Sequence, residues 1–389
     1  MTKTVTILGA TGSVGRSTLA LLDEAAEGEF AVEALVAGRD AAALAACARK
    51  HRARVAVLAD PAGLPALREA LSGSGIESAA GEEAVLEAAS RPADWTMAAI
   101  VGAAGLGPTL AAIRRGGTLA LANKEALVCA GEIVLAAVRD ASVTLLPVDS
   151  EHNAVFQALD ARDPAMIEKI IITASGGPFR TASEAEMRAA TPERALKHPV
   201  WSMGAKISID SATMFNKGLE VIEAARLFPV DPARIEVLVH PQSSVHGMVQ
   251  YADGSLLAHL GSPDMRTPIA HALAWPNRMR ADVPRLDLAA LGRLEFSAPD
   301  ELRFPALRLA REALLAGAGV PTILNAANEV AVERFLSRRL GFLDIARVVE
   351  ATMERLGAPA LPTLEAVLAL DAEVRAEAGR IAGRLGLAA

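Results

Sequence analysis

The sequence predicts an α/β chain in three parts. These are a parallel-sheet domain over residues 1–148, a mixed α+β domain over 149–277 and, after a connecting segment at 278–303, a helical bundle over 304–389. Three observations predict this. Short apolar runs alternate with helical patterns through the first part, which is the signature of βαβ units and a parallel sheet. A glycine-rich turn follows the first apolar run directly. From Phe304 to the end, apolar residues recur at helical spacing.

The elements follow in order. Thr4–Leu8 reads as a buried strand, Val14–Ala26 as a helix, Phe30–Ala37 as a second strand, Ala41–Lys50 as a helix and Val55–Leu58 as a third strand. Thr96–Val101 and Thr118–Leu121 are further strands, with a helix at Pro108–Arg115 between them. The character changes near Val143–Asp149. Strand-like runs at Lys169–Ala174, Glu236–Val239 and Ser255–Leu260 then stand among dense Gly, Ser, Pro and His. Prolines punctuate Arg278–Pro299. Four helices are expected at Pro305–Ala316, Pro321–Leu336, Leu343–Leu356 and Leu364–Leu385.

Composition narrows the function classes. A chain of 389 residues with 52% hydrophobic and 22% charged residues can build full cores, and at about 150 residues per domain it holds two or three. Its net charge of −7 argues against a nucleic-acid partner, which needs a basic face, so an anionic ligand would need a local cationic pocket. Two cysteines, Cys47 and Cys129, make neither a disulfide framework nor a cysteine-based zinc site. No apolar run is long enough for a membrane span, and MTKTVTILGATG enters a strand with no signal-peptide core. No membrane association and a cytoplasmic location are expected.

The turn Gly9-Ala10-Thr11-Gly12-Ser13-Val14-Gly15 lies between a strand and a helix. Glycines there permit a tight turn and close approach of backbone to a pyrophosphate, and the helix N-terminus offers N–H groups and positive dipole. Its GxxGxxG spacing is only a moderate signal for a nucleotide. At the end of the second strand, where an NAD site usually has an acid, stands Gly38-Arg39-Asp40. Arg39 is suited to a 2′-phosphate, which favours NADP. Asp40 is best read as the N-cap of the next helix. Asn123-Lys124-Glu125 follows the strand at Thr118–Leu121, at the edge where a cofactor's reactive ring belongs. It is either a substrate- and ribose-holding group or a polar turn that starts a helix.

Asp149-Ser150-Glu151 ends the apolar run Val143–Val148. In an extended segment residues two apart share a face, and two carboxylates on one face favour a hard cation between them. For this tripeptide alone, a polar strand end is the commoner reading. In Asp210-Ser211-Ala-Thr213-Met-Phe-Asn216-Lys217-Gly218-Leu-Glu220, helical geometry would put Asn216 and Glu220 on one face beside Lys217. Ser, Asn and Lys suit a phosphate, and Glu220 offers a third oxygen to a metal; the alternative is a capped surface helix. Ala174-Ser175-Gly176-Gly177-Pro178-Phe179 has the form of an anion nest. His198-Pro199-Val200-Trp201-Ser202-Met203-Gly204 suits a mobile lid. His152 should face away from Glu151 in a strand, and His51, His259 and His271 read as structural.

Taken together, GATGSVG, ALANKEALV, LLPVDSEHNAVFQ, TASGGPF, KHPVWSMGAKISIDSATMFNKGLEVIEA, VLVHPQSSVHGMVQY, GSPDMRTPIA and ILNAANEVAV closely resemble the 1-deoxy-D-xylulose 5-phosphate reductoisomerase family, in family order across nearly the whole chain. The resemblance implies a Rossmann-like NADPH-binding domain, a central catalytic domain and a C-terminal helical domain. It implies metal ligands at Asp149, Glu151 and Glu220 for Mg2+ or Mn2+, with Co2+ a further option. It implies substrate contacts at Lys124, Ser150, Glu151, Ser175, His198, Ser211, Asn216, Lys217 and Glu220. Among these, Lys124, Glu151 and His198 are the catalytic candidates. NADPH contacts are implied at Thr11, Gly12, Ser13, Val14, Gly38, Arg39, Asp40, Asn123, Glu125 and Gly204. Where this chain has Arg39-Asp40 the family often has Lys-Asn, so the charge partner of the 2′-phosphate is kept and its neighbour differs. A homodimer is implied, with Trp201 on the lid.

The implied reaction takes a phosphorylated ketose, rearranges its carbon skeleton with help from a Lewis acid and reduces the resulting aldehyde with NADPH. Two rivals share the first motif. A semialdehyde-type dehydrogenase needs a nucleophilic cysteine in its second domain, and no cysteine follows Cys129. A non-catalytic NADP sensor has no need of three spaced carboxylates and a phosphate cluster. His240 and His246 are expected near the site, Met265 beside the substrate, and Asn325–Val332 in packing rather than chemistry.

Overall fold

The computed structural model describes residues 2–160, 162–201 and 203–386, and these form two compact units. The first takes in the described residues up to Ala126, Glu132–Asn153 and Asp264–Pro284. Its seven strands are β1 (Lys3–Leu8), β2 (Phe30–Ala37), β3 (Val55–Leu58), β4 (Glu77–Ala80), β5 (Trp95–Ala98), β6 (Thr118–Leu121) and β7 (Thr144–Pro147). All neighbours pair in parallel, in the order β4-β3-β2-β1-β5-β6-β7. Val5, Ile7, Leu35, Val57 and Met97 are fully buried, as expected for a parallel sheet covered on both faces.

β3 matches its apolar run, whereas β5 starts at Trp95 and stops at Ala98, short of the expected end at Val101. β4 reads ESAA and has no β-branched or aromatic residue, so only its ladder to β3 reveals it. The helices Leu64–Ala70 and Glu82–Ser90 flanking it were likewise not foreseen. Helix Arg266–Ala274 belongs to this unit although it lies far along the chain. Lys3 Nζ donates to the Leu273 carbonyl at 2.8 Å and Trp95 Nε1 to that of Ala272 at 3.0 Å. Successive strands run outward from β1 to β4, and the chain then returns to β5 on the other side of β1. The strand order therefore reverses between β1 and β5, and a doubly wound sheet opens its ligand crevice at such a point.

The second unit comprises Leu127–Gly131, Ala154–Pro263 and the described residues from Arg285 onward. Its sheet has the order β11-β10-β8-β9, with β8 at Ile167–Ala174, β9 at Ile235–Val239, β10 at Val245–Tyr251 and β11 at Leu256–Leu260. β8 pairs antiparallel with β10 and parallel with β9. β10, VHGMVQY, was missed in the sequence because His, Gly and Gln interrupt its apolar pattern. Helices Ala306–Ala316, Val320–Leu336, Asp344–Leu356 and Leu364–Gly386 form the C-terminal helical region. Val320–Leu336 is its central member, buried on nearly every side, with Ile323, Leu324, Asn325, Ala326, Ala327 and Asn328 all fully enclosed. Phe342 closes this core against Phe179 and Phe335, at ring-centroid distances of 4.7 and 5.7 Å.

Candidate active site

The crevice at the switch point of the first unit is shaped by backbone. Gly9 has φ +98°, and a Cβ there would stand 2.5 Å from the Ala99 carbonyl oxygen on the chain leaving β5. A Cβ on Gly15 would overlap the Gly9 carbonyl, so this glycine lets helix Ser13–Glu24 press against the end of β1. Around Gly12, by contrast, an added Cβ would meet only the Gly9 oxygen, at 3.3 Å. Gly12 and Ser13 are exposed, and no side chain caps this helix. The turn thus presents an open helix N-terminus, which suits an anion.

Beyond β2, Gly38, Arg39 and Asp40 are exposed. The Asp40 carboxylate accepts from the Ala43 N–H at 2.9 Å, as its N-cap reading predicts. The Arg39 guanidinium is 89% exposed, with Asp60 as a loose partner at 3.7 Å, so a surface cation stands ready beside the crevice. Asn123 is buried. Its amide donates to the carbonyls of Ile100 and Gly102, and its oxygen accepts from the Ala126 N–H at 2.8 Å. Gly105 leaves room for that amide. Asn123 therefore clamps the loop after β5 to the helix Glu125–Asp140, a role that residue order could not reveal.

Lys124 is nearly buried and pairs with Asp149. The stretch 149–151 differs from the sequence expectation. It is not extended: β7 stops at Pro147 and a helix runs over Ser150–Ala158. Asp149 precedes the first turn, its carbonyl accepting from the Asn153 N–H at 2.8 Å, a position where Asp is favoured. The strand argument for a shared face fails, because residues two apart on a helix diverge. A carboxylate oxygen of Glu151 nevertheless lies within 4.8 Å of one of Asp149, as the tilt of helical Cα–Cβ bonds toward the N-terminus allows. Ser150 Oγ donates to Glu151 at 2.5 Å. For the same reason His152 is not turned away on a strand but is fully buried on this helix. His271 is half-buried in this unit, and burial, then the charge of Arg278, pushes its pKa down to about 4.

In the second unit the glycine nest and the helices Ala205–Thr213 and Phe215–Leu227 come together. Gly177, at φ +65°, lies so close to helix Ala205–Thr213 that a Cβ would stand 2.7 Å from the Ser211 carbonyl. Ser175 is thereby held near the C-terminal end of that helix. Met214, left-handed at φ 67°, joins it to helix Phe215–Leu227, whose N-terminus no side chain caps. Asn216 and Glu220 share a face as the spacing predicts, with Asn216 Nδ2 donating to Glu220 Oε1 at 2.6 Å. Lys217 pairs with the other oxygen of Glu220, and both residues are buried. Gly218 allows this helix to pack on Ala306–Ala316, where a Cβ would stand 2.9 Å from that of Ala310.

Ser175 Oγ lies 2.9 Å from His198 Nε2, while His198 Nδ1 accepts from the N–H groups of Val200 and Trp201 at 3.1 and 2.8 Å. Burial depresses the pKa of His198. The neutral ring therefore carries its proton on Nε2 and donates it to Ser175. Ser175 Oγ also accepts from the Gly177 N–H at 3.2 Å, which leaves its own hydroxyl hydrogen to donate to an anion. Trp201 reaches His246 on β10, with ring centroids 6.2 Å apart. Ser202 lies outside the described residues, and Gly204 caps helix Ala205–Thr213. His240 is structural: Nδ1 bonds the Glu295 carbonyl at 2.8 Å and the ring stacks on Phe296.

Three family models cover the chain. That of 1-deoxy-D-xylulose 5-phosphate reductoisomerase matches residues 5–131, and two models of the C-terminal domains of this enzyme match 145–228 and 260–377. The 1-deoxy-D-xylulose 5-phosphate reductoisomerase of Gluconobacter oxydans is 60% identical over 373 residues, covering 96% of this chain and 91% of the relative. The chain belongs to the 1-deoxy-D-xylulose 5-phosphate reductoisomerase family. Among solved structures, the Zymomonas mobilis reductoisomerase in complex with NADPH superimposes with a TM-score of 0.93 at 54% identity, over 98% of this chain and 99% of that one. A DOX-P reductoisomerase in complex with NADPH, fosmidomycin and magnesium gives 0.92 at 42% identity, over 98% of each. As a member of the reductoisomerase family, the chain is an oxidoreductase with the α/β architecture described above.

Proposed function

We propose that this chain converts 1-deoxy-D-xylulose 5-phosphate to 2-C-methyl-D-erythritol 4-phosphate, with NADPH as reductant and a divalent metal, in isoprenoid biosynthesis. The observation that carries this is the end-to-end match, at 54% identity, with a reductoisomerase that binds NADPH. The cofactor fits. The open turn at Thr11, Gly12, Ser13 and Val14 suits the pyrophosphate, and Arg39, flanked by Gly38 and Asp40, suits the 2′-phosphate. Glu125 and Gly204 belong to the same proposed set, with Asn123 shaping the loop beside it.

Asp149, Glu151 and Glu220 are the proposed metal ligands. Asp149 pairs with Lys124 and Glu220 with Lys217, and carboxylate oxygens are the ligands that Mg2+ or Mn2+ prefers. When bound, the metal supplies a Lewis acid that polarises substrate oxygens and NADPH supplies the hydride. The protein's own share is positioning. Ser175, Ser211, Asn216 and Lys217 hold the phosphate, far from the reacting carbons. Lys124 and Ser150 hold substrate oxygens, and Glu151 handles a proton. His198 directs the Ser175 hydroxyl, and Trp201 covers the site against water.

The proposed division of labour is an NADPH-binding module at 1–148, a catalytic one at 149–277, a connection at 278–303 and helical support from 304 onward, although 149–153 and 264–284 pack within the first unit. A homodimer is part of the proposal. Strand β11 is an edge with Leu256 and Leu257 each 49% exposed, a surface that association would cover. No described helix is long and apolar enough to cross a membrane. A cytoplasmic location is part of the same proposal. The test follows NADPH oxidation with the ketose phosphate, with and without EDTA. Turnover abolished by EDTA and restored by Mg2+ or Mn2+ supports the proposal, whereas turnover indifferent to EDTA, or none with this substrate, rejects it.

A further inference from the structure

Asp210 is 1% exposed on helix Ala205–Thr213 and is held from two sides. Lys206 Nζ, one turn earlier, meets its Oδ2 at 2.7 Å. Asn328 Nδ2, from the core of the C-terminal helix Val320–Leu336, donates to its Oδ1 at 2.7 Å. Asn328 is fully buried, and Asp210 directly precedes Ser211.

We infer that Asn328 is a positioning residue for the anion cradle made by Ser175, Ser211, Asn216 and Lys217. The inference rests on the phosphate-binding reading above. Burying a polar pair inside a helical core costs desolvation, which a well-packed apolar pair would avoid. What the Asn328–Asp210 bond supplies that apolar packing cannot is direction. It fixes the rotation of helix Ala205–Thr213 about its axis, and with it the aim of the adjacent Ser211. A single left-handed residue, Met214, links this helix to the one bearing Asn216 and Lys217, so a turn of the first alters its geometry against the second. Gly177 packs backbone to backbone on Ser211 and Ala212, so the Ser175 nest shares the same support.

The test compares Asn328→Leu, Asn328→Asp and the exchanged pair Asn328→Asp with Asp210→Asn. Each is assayed well below its own melting temperature. Losing one buried, charge-assisted hydrogen bond should raise KM for the ketose phosphate by about tenfold in Asn328→Leu, and by more in Asn328→Asp, where two carboxylates meet. KM for NADPH and kcat should stay within about twofold. The exchanged pair restores one amide and one carboxylate and should recover most of the loss. Inorganic phosphate affinity, measured by calorimetry, should fall and recover in parallel. An unchanged substrate KM in folded Asn328→Leu, or equal losses for NADPH and substrate, overturns the inference. So does an exchanged pair no better than Asn328→Asp. If Asn328→Leu does not fold, the comparison of the exchanged pair with Asn328→Asp decides alone. Absence of turnover in the wild-type chain would reject the functional reading, while the phosphate titration still decides the role of Asn328.

Discussion

The imidazole of His198 binds Ser175 through one nitrogen and turns back on its own chain through the other, accepting from the amides of Val200 and Trp201. One ring thus fixes both a hydroxyl rotor in the glycine nest and the backbone at Val200 and Trp201. Protonation would place a hydrogen on Nδ1, facing two N–H donors, and the arrangement would break.

His198 is therefore expected to be neutral and Nε2-protonated at pH 7. Its folded pKa lies below the ordinary 6.5 because burial disfavours the charged ring. The stability it contributes is complete above 6.5 and is lost as pH falls through the depressed folded value. Substrate KM should rise on that acidic side. Nitrogen NMR of the imidazole checks this directly, and an imidazolium signal at pH 7 would refute it.

Arg39 is an exposed cation beside an open helix N-terminus, with Asp60 only loosely engaged. Arg39→Ser should raise KM for NADPH by about tenfold or more and leave that for NADH nearly unchanged, because only NADPH carries the 2′-phosphate. Steady-state kinetics with both cofactors decide it. Equal effects on the two would mean that the guanidinium serves another purpose.

Glu220→Gln keeps the size of the side chain and removes its charge beside Lys217. Turnover should fall by about a hundredfold or more, roughly 3 kcal/mol of barrier. NADPH binding, followed by fluorescence titration, should persist, because the proposed cofactor residues lie elsewhere. Near-normal turnover at low metal concentration would remove Glu220 from the ligand set.

Gly15→Ala forces a methyl group against the Gly9 carbonyl and should destabilise the fold by about 1–3 kcal/mol. Gly12→Ala, with no such overlap, should keep nearly the wild-type melting temperature and weaken NADPH binding instead. Calorimetric melting of the two variants separates packing from ligand approach. Equal melting temperatures would contradict the geometry.

The sequence alone determined the alternation of strand and helix, the crevice-forming turn after β1, and the one-face pairing of Asn216 with Glu220. Each depends on residues a few positions apart, where backbone periodicity carries the information. Asp40 as an N-cap was legible for the same reason. Only the tertiary structure decided that residues 149–151 open a helix rather than end a strand, since Asp and Ser suit both settings. It alone showed that residues 264–284 return to the first unit, that the Asn123 side chain clamps the loop after β5, and that Asn328 reaches Asp210 across 118 positions. Strand β4 also emerged only there, because a weak strand is stabilised by its partner's hydrogen bonds and not by its own composition. Contacts between distant segments are set by packing, and no local pattern encodes them.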